Sequence, residues 1–204
     1  MNKKPIARML STIFLCSTAI CGSVNAATLI HAGKIITAED NKILTDHTIV
    51  IEQDKITAVE AGFRTAETDD IVIDLKQHTV MPGLMDMHTH FYTQFSPTVY
   101  SEGFTMNEAD YALRGATFAE KTLLSGFTTV RELGDNHQIS TALKKAIAKG
   151  YITGPRIFAA GKSIATTGGH ADPTNGVAYA LMADPGPKDG VINGADEARK
   201  AVRQ

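Results

Sequence analysis

A nearly continuous apolar run, Thr79–Met87, constrains the fold of this chain more than any other segment. An apolar run without polar alternation is typical of a β-strand that is buried on both faces of a parallel sheet. Helices and strands then alternate along the chain, because helical apolar spacing recurs between short β-branched runs. The predicted elements are a helix over Thr105–Ser125, a strand over Phe127–Val130, a helix over His137–Lys149, a strand over Arg156–Ala160 and a helix after Asn193. This alternation indicates βαβ units and a parallel sheet.

The residues before this region predict a different architecture. Short runs rich in Val, Ile and Thr are separated by polar turns, which favours a small antiparallel sheet. These runs are Ala27–Ile36, Thr48–Ile51, Ile56–Val59 and Ile71–Leu75. We therefore expect a small β-domain over residues 27–79. The predicted class is α/β, with three βα units over residues 80–204 as the first part of a TIM-type (β/α) barrel, since a full barrel takes roughly 250 residues.

The first residues have the pattern of a secretory signal. Basic side chains (Lys3, Arg8) precede an apolar stretch from Met9 to Ile20, and small residues lead up to Ala26. This pattern predicts a signal peptide over residues 1–26 and export to the periplasm or the medium. A membrane anchor is the alternative, but the stretch is shorter than the roughly 20 residues that cross a bilayer.

Cysteine and charge content narrow the possible ligands and partners. Both cysteines, Cys16 and Cys21, fall within the predicted signal, so a metal in the remaining chain needs His, Asp, Glu or a modified Lys. The net charge is -2 and the sequence pI about 6.4. These values predict neither nucleic acid nor a membrane surface as a partner.

Two histidines, His88 and His90, follow the apolar run directly. In a strand, side chains two residues apart point to the same side, so both imidazoles can converge on one cation. Neutral imidazole suits Zn²⁺ and similar transition metals. The end of a barrel strand is also where barrel active sites lie. The sequence therefore predicts a metal site with His88 and His90 as ligands.

Longer segments around this pair resemble the amidohydrolase superfamily. The segment Pro82–His90 reads PGLMDMHTH and resembles the opening barrel strand of these enzymes, which follows a small β-domain. Gly126–Glu132 is similar to their G-x-T-T-V-R-D segment, with Glu in place of Asp. Gly154–Ile157 and Thr167–Asp172 look like the third-strand region of the imidazolonepropionase-like and Xaa-Pro dipeptidase-like branch.

This resemblance implies a function and a set of roles. It implies hydrolysis of a C–N bond in a small or dipeptide-like amide by a metal-activated water, with two Zn²⁺ ions bridged by a carboxylated lysine. His88 and His90 would bind the more buried ion. Asp86 would orient the site by hydrogen bonding, or else be a polar residue satisfied by backbone donors. His170 would contact the substrate, or else lie on an ordinary surface loop.

The remaining candidates are interpreted as structural. Arg131 and Glu132 are predicted to form an ion pair rather than to take part in catalysis. Lys162 is predicted to be a free surface lysine rather than the bridging ligand. The other histidines are assigned to the small sheet or to connecting loops; they are His31, His47, His78 and His137.

Several parts of the implied active site are not matched in this sequence. In the resembled branch the bridging lysine follows strand four, two histidines follow strands five and six, and an aspartate follows strand eight. We therefore expect the 204-residue chain alone to be inactive and to need a continuation or a C-terminal partner chain. The alternatives are a non-catalytic truncated or split-gene product and a secreted binding module.

Overall fold

The computed structural model describes residues 26–38, 42–135 and 137–203, and the predicted signal lies outside this part except for its last residue. The fold is mixed α/β, as predicted. The strands are β1 (Ala27–Ile36), β2 (Ile43–Glu52), β3 (Lys55–Ala61), β4 (Ile71–Val80), β5 (Leu84–Thr89), β6 (Phe127–Glu132) and β7 (Arg156–Ala159). The helices are α1 (Val99–Thr105), α2 (Glu108–Leu124), α3 (Ile139–Ala148) and α4 (Ala195–Val202), with short 3₁₀ turns at Tyr179–Leu181 and Pro187–Asp189.

The chain divides into two compact units between Met81 and Pro82. The first unit contains a four-stranded sheet in the order β3-β2-β1-β4. Its core holds two small apolar clusters, around Leu29 and Val50 in one case and around Ala32 and Ile49 in the other. This sheet has the β-branched, short-turn character that the sequence predicts.

The prediction of a purely antiparallel sheet is wrong, because β4 runs parallel to β1. The Asp70 carboxylate accepts hydrogen bonds from the backbone N–H of Ala27 at 2.9 Å and of Glu67 at 3.0 Å. The Ala27 contact joins the start of β4 to the start of β1, so the two strands begin at the same edge and run in one direction. Sequence periodicity cannot show this, since alternation is the same in both orientations.

The second unit contains the three-stranded parallel sheet β5-β6-β7. Helices α2 and α3 pack on it around one apolar core, formed by Phe91, Tyr111, Ala119, Val130, Ile139, Leu143 and Ile157. The expectation that the first strand is buried on both faces is wrong. Met85 and Met87 are 67% and 52% exposed, because β5 is an edge strand with β6 as its only neighbour in this sheet.

The predicted single strand over Thr79–Met87 is also wrong. Thr79 and Val80 belong to β4, and β5 begins only at Leu84. Pro82 has no N–H to donate to a ladder, which explains the break. Gly83 then packs against Thr128 so closely that any Cβ would overlap that side chain. The break separates the two sheets.

The helix predicted over Thr105–Ser125 is present as α2 and begins three residues later than predicted, while α1 is a separate helix that precedes it and was not predicted. Met106 is extended (φ -105°, ψ 140°), and α2 begins after Asn107, whose backbone N–H donates to the Asp110 carboxylate at 2.8 Å. The cap therefore uses Asn107 and Asp110, whereas Thr105 bonds back to Ser101 within α1. The helix predicted over His137–Lys149 is present and shorter, as α3.

No helix among the described residues is both long enough and apolar enough to span a membrane.

Candidate functional site

The imidazoles of His88 and His90 lie together at the carboxyl end of β5. Their ring centroids are 5.3 Å apart, and the ring planes are inclined at 71°. Both line one cavity of about 350 Å³, whose wall also includes Tyr92, Gly134 and His170. The i, i+2 spacing that motivates the metal prediction thus brings the two rings to a common cavity.

The hydrogen bond of His90 identifies which of its nitrogens carries the proton. Its Nδ1 atom lies 3.0 Å from the carbonyl oxygen of Gly134. A carbonyl oxygen can only accept, so Nδ1 carries a hydrogen, and in the neutral ring Nε2 then keeps the lone pair. Histidines that bind a metal through Nε2 commonly donate the other ring N–H to a carbonyl or carboxylate in this way.

Glu132, at the end of β6, is fully buried beside His90. Its carboxylate accepts the backbone N–H of Phe91 at 2.8 Å and that of Gly134 at 3.3 Å, and lies 3.2 Å from Nδ1 of His90. Burial raises the pKa of the Glu132 carboxyl, and the Phe91 N–H opposes that rise by stabilising the anion.

The predicted ion pair between Arg131 and Glu132 is not formed. Arg131 is exposed, and its Nε donates to the carbonyl of Met87 at 2.9 Å. Neighbouring residues of a strand point to opposite faces, which separates the two side chains. Sequence reasoning missed Glu132 as a neighbour of His90, and the only available signal was its place at the end of the second strand motif.

Asp86 lies half-buried on β5 and lines a second cavity, of about 370 Å³, together with His88 and His90. Its carboxylate accepts the backbone N–H of His88 at 3.0 Å. The contact is therefore with the backbone of a histidine rather than with an imidazole nitrogen.

His170 reaches the cavity from the loop after β7. Buried Asp172 organises this loop by accepting the N–H of Gly168 at 2.7 Å, the N–H of Thr174 at 2.9 Å and the Thr174 hydroxyl at 2.7 Å. The Thr174 hydroxyl is the main cause that lowers the pKa of the Asp172 carboxyl. The exposed His170 ring thus sits on a loop with internal hydrogen bonds.

Tyr92 forms part of the cavity wall, which sequence reasoning missed. Its ring lies edge-on to His90, with centroids 6.4 Å apart. Burial raises the pKa of the Tyr92 phenol, so the hydroxyl stays protonated at neutral pH. The guanidinium of Arg114 donates to the Tyr92 carbonyl at 2.9 Å and to the Glu102 carboxylate at 2.8 Å, and so ties the wall to α1 and α2.

The remaining histidines and Lys162 do not line the cavity of the pair. His31, His47 and His78 belong to the first unit. His137 stacks on Tyr111, with ring centroids 5.6 Å apart. The Lys162 ammonium donates to the carbonyl of Lys188 and lines a different cavity.

Two imidazoles fit two of the four positions of a tetrahedral zinc ion. Among residues 26–38, 42–135 and 137–203, no cluster of three or more His, Cys, Asp or Glu side chains is arranged to hold a metal. The described residues therefore hold no complete set of metal ligands, and the histidine pair provides at most two of them.

Comparison with known proteins identifies the family. The sequence profile of the amidohydrolase family matches residues 79–204, which include β5, the histidine pair and all the helices. The chain belongs to the amidohydrolase family. This finding confirms the resemblance drawn from the three strand motifs, and members of this family are generally metal-dependent.

Individual relatives extend the likeness over the first unit. Ochratoxinase of Aspergillus niger is 29% identical over 199 residues, which cover 86% of this chain and 39% of the relative. The crystal structure of a Xaa-Pro dipeptidase with bound methionine is 43% identical, with a TM-score of 0.80, and the match covers 87% of this chain and 44% of that one. A 5'-deoxyadenosine deaminase of Methanosarcina barkeri is 51% identical over 51 residues, which cover 25% of this chain and 11% of the relative.

The matches cover only part of each relative. The chain spans less than half the length of the ochratoxinase and dipeptidase that it matches.

Proposed function

We propose that this chain is part of a metal-dependent amidohydrolase that cleaves a C–N bond, with His88 and His90 as ligands of Zn²⁺. The observation that supports it best is the pair of imidazoles 5.3 Å apart at the tip of β5, facing one cavity. We further propose that β5, β6 and β7 are the first three strands of a TIM-type barrel. Parallel order and active-site residues at the carboxyl ends of the strands are typical of that fold.

The proposed chemistry assigns a task to each group of the cavity. A bound zinc ion would polarise the scissile carbonyl and lower the pKa of a water molecule. His88 and His90 bind through imidazole nitrogens, and the Gly134 carbonyl fixes the orientation of the His90 ring. The Tyr92 hydroxyl and His170 line the cavity as hydrogen-bonding groups for the substrate.

An amide or dipeptide-like substrate is favoured over a purine. The likeness to the dipeptidase and to ochratoxinase runs through 87% and 86% of the chain, whereas the deaminase likeness covers 25%. We also propose export to the periplasm or the medium, on the pattern of residues 1–26.

The described residues provide two candidate ligands, and no third His, Cys, Asp or Glu among them is arranged with the pair to hold a metal. Hydrolysis by such a site needs both a complete metal shell and a general base. We propose, therefore, that this chain alone does not catalyse hydrolysis, and that the bridging carboxylated lysine of a two-zinc centre comes from other barrel strands.

A chimera tests the substrate class. Residues 27–204 are joined to barrel strands four to eight of the dipeptidase relative, and release of proline from methionyl-proline is assayed with added Zn²⁺. Replacement of both His88 and His90 by Ala should lower turnover by roughly a thousandfold or more, because the metal contributes several kcal/mol to catalysis. His137→Ala is the matched control, since His137 lies outside the pair.

Two results would contradict the proposal. Unchanged hydrolysis by the double variant would remove the two histidines from the site. Turnover of 5'-deoxyadenosine without turnover of the dipeptide would replace the amide substrate by a purine.

A further inference from the structure

Glu132 is a fully buried carboxylate that the proposed chemistry does not use. Burying a carboxylate is costly unless its oxygens accept hydrogen bonds. One oxygen, Oε2, accepts the N–H of Phe91 at 2.8 Å, and the other, Oε1, accepts the N–H of Gly134 at 3.3 Å. The side chain thus connects the end of β5 to the segment after β6.

Both donors belong to the surroundings of His90. Phe91 is the next residue along the chain, and the carbonyl of Gly134 accepts the Nδ1–H of His90 at 3.0 Å. The same Oε1 atom that accepts the Gly134 N–H lies 3.2 Å from Nδ1. One carboxylate therefore fixes the backbone on both sides of the His90 hydrogen bond and places negative charge beside the ring N–H.

We propose that Glu132 is a positioning residue that holds His90 in the Nδ1–H tautomer, with Nε2 left as the nitrogen that bears the lone pair. A free imidazole prefers the proton on Nε2, so this tautomer requires support from its surroundings. A carbonyl acceptor and an adjacent carboxylate provide it, because each interacts favourably with an N–H and unfavourably with a lone pair. Its relevance to metal binding rests on the proposed function, whereas the tautomer itself does not.

A purely structural role for Glu132 predicts something different. A carboxylate that only joins β5 to β6 would stabilise the fold when present, and its loss would leave the tautomer of His90 as the Gly134 carbonyl sets it. The tautomer is therefore the readout that separates positioning from stability.

The experiment uses the ¹⁵N-labelled chain without metal, at about pH 8.5, which is well above the ordinary imidazole pKa of about 6.5. Long-range ¹H–¹⁵N correlation spectra report which ring nitrogen carries the proton. We expect Nδ1–H for His90 in the unmodified chain and a loss of this form in favour of Nε2–H in Glu132→Ala. Asp172→Ala is the control, because that buried carboxylate bonds only within residues 168–174.

A proton on Nε2 of His90 in the unmodified chain would overturn the proposal. So would a folded Glu132→Ala variant that keeps the Nδ1–H form in full. A variant with altered stability and an unaltered tautomer would show that Glu132 is structural only.

If Glu132→Ala does not fold, the His90 tautomer is measured in Glu132→Gln instead, and a second measurement on the unmodified chain tests the contacts on which the proposal depends. The backbone amides of Phe91 and Gly134 should exchange with deuterium at least about tenfold more slowly than unstructured amides, since both donate to Glu132. Exchange of both at the unstructured rate would contradict the proposed contacts. Because no step uses zinc, a chimera whose hydrolysis is unchanged by the loss of both histidines would refute the proposed function and leave this inference standing.

Discussion

The Nδ1 atom of His90 lies 3.0 Å from the carbonyl oxygen of Gly134. This contact joins the residue after β5 to the segment after β6, and in the neutral ring it leaves the lone pair on Nε2. The end of β5, which carries the histidine pair, is thus joined to the segment after β6 by hydrogen bonds as well as by apolar packing.

Replacing Gly134 by Ala should disturb this contact. Gly134 has φ 148°, and an added Cβ would overlap the Ser163 hydroxyl and lie 2.9 Å from the Ser163 nitrogen. We expect a loss of about 1–3 kcal/mol in the free energy of unfolding, measured with urea, together with altered His90 ring signals. Gly126→Ala is the matched control, because Gly126 also has a positive φ and no atom near its Cβ position. Equal losses in the two variants would show that overlap with Ser163 has no effect.

Arg114 is expected to fix the cavity wall at Tyr92. Arg114→Ala removes the hydrogen bonds that Arg114 donates to the Tyr92 carbonyl and the Glu102 carboxylate. Tyr92 and Glu102 are both partly buried. The loss should be about 2 kcal/mol, the size typical of hydrogen bonds to charged groups. Hydrogen exchange in residues 92–98 should also accelerate. Arg114→Lys should restore only part of both effects, since an ammonium cannot reproduce the forked geometry. Full rescue by Lys would indicate that charge alone is needed.

The Asp172 carboxylate should stabilise the loop of His170 in a pH-dependent manner. The Thr174 hydroxyl lowers the folded-state pKa of Asp172 below its unfolded value of about 3.9. The stabilisation is therefore fully present above about pH 4 and is lost as the pH falls through the lowered folded-state pKa. The free energy of unfolding is measured with urea between about pH 2 and pH 6. On acidification it should fall less in Asp172→Asn than in the unmodified chain. The fall in Thr174→Val should lie between those of the unmodified chain and of Asp172→Asn. Identical pH profiles for all three chains would contradict this account.

The purified 204-residue chain should not hydrolyse dipeptides, even with added Zn²⁺. Two ligands leave a zinc ion without a complete protein shell, and no third His, Cys, Asp or Glu among the described residues is arranged with them to hold a metal. Methionyl-proline at millimolar concentration is a suitable substrate, with the dipeptidase relative as the positive control. Turnover that disappears in His88→Ala would show that the chain suffices for catalysis.

Local sequence patterns predicted some parts of this structure well. The spacing of His88 and His90 placed both rings at one strand tip, because side-chain direction in a strand depends only on its two-residue repeat. The β-branched runs of the first unit predicted strands because such residues favour the extended backbone of a sheet. The strand motifs identified the family.

Other parts depend on tertiary contacts that no local pattern encodes. The parallel orientation of β4 beside β1 is associated with the contact between Asp70 and Ala27, two residues that lie far apart in sequence. Helix α1 has no buried residue and contains Gly103, so it presents no apolar stripe to detect. Glu132 was assigned to Arg131 rather than to His90, because adjacency in sequence is visible and the pairing of β5 with β6 is not.

Titration of the labelled chain with Zn²⁺ tests the central claim most directly. The unmodified chain and His137→Ala should show zinc-dependent changes at Nε2 of His90 and in the ring of His88, whereas Ala at either position of the pair should abolish them. Zinc binding that persists unchanged when both His88 and His90 are replaced, or that leaves their ring nitrogens unperturbed, would contradict the account.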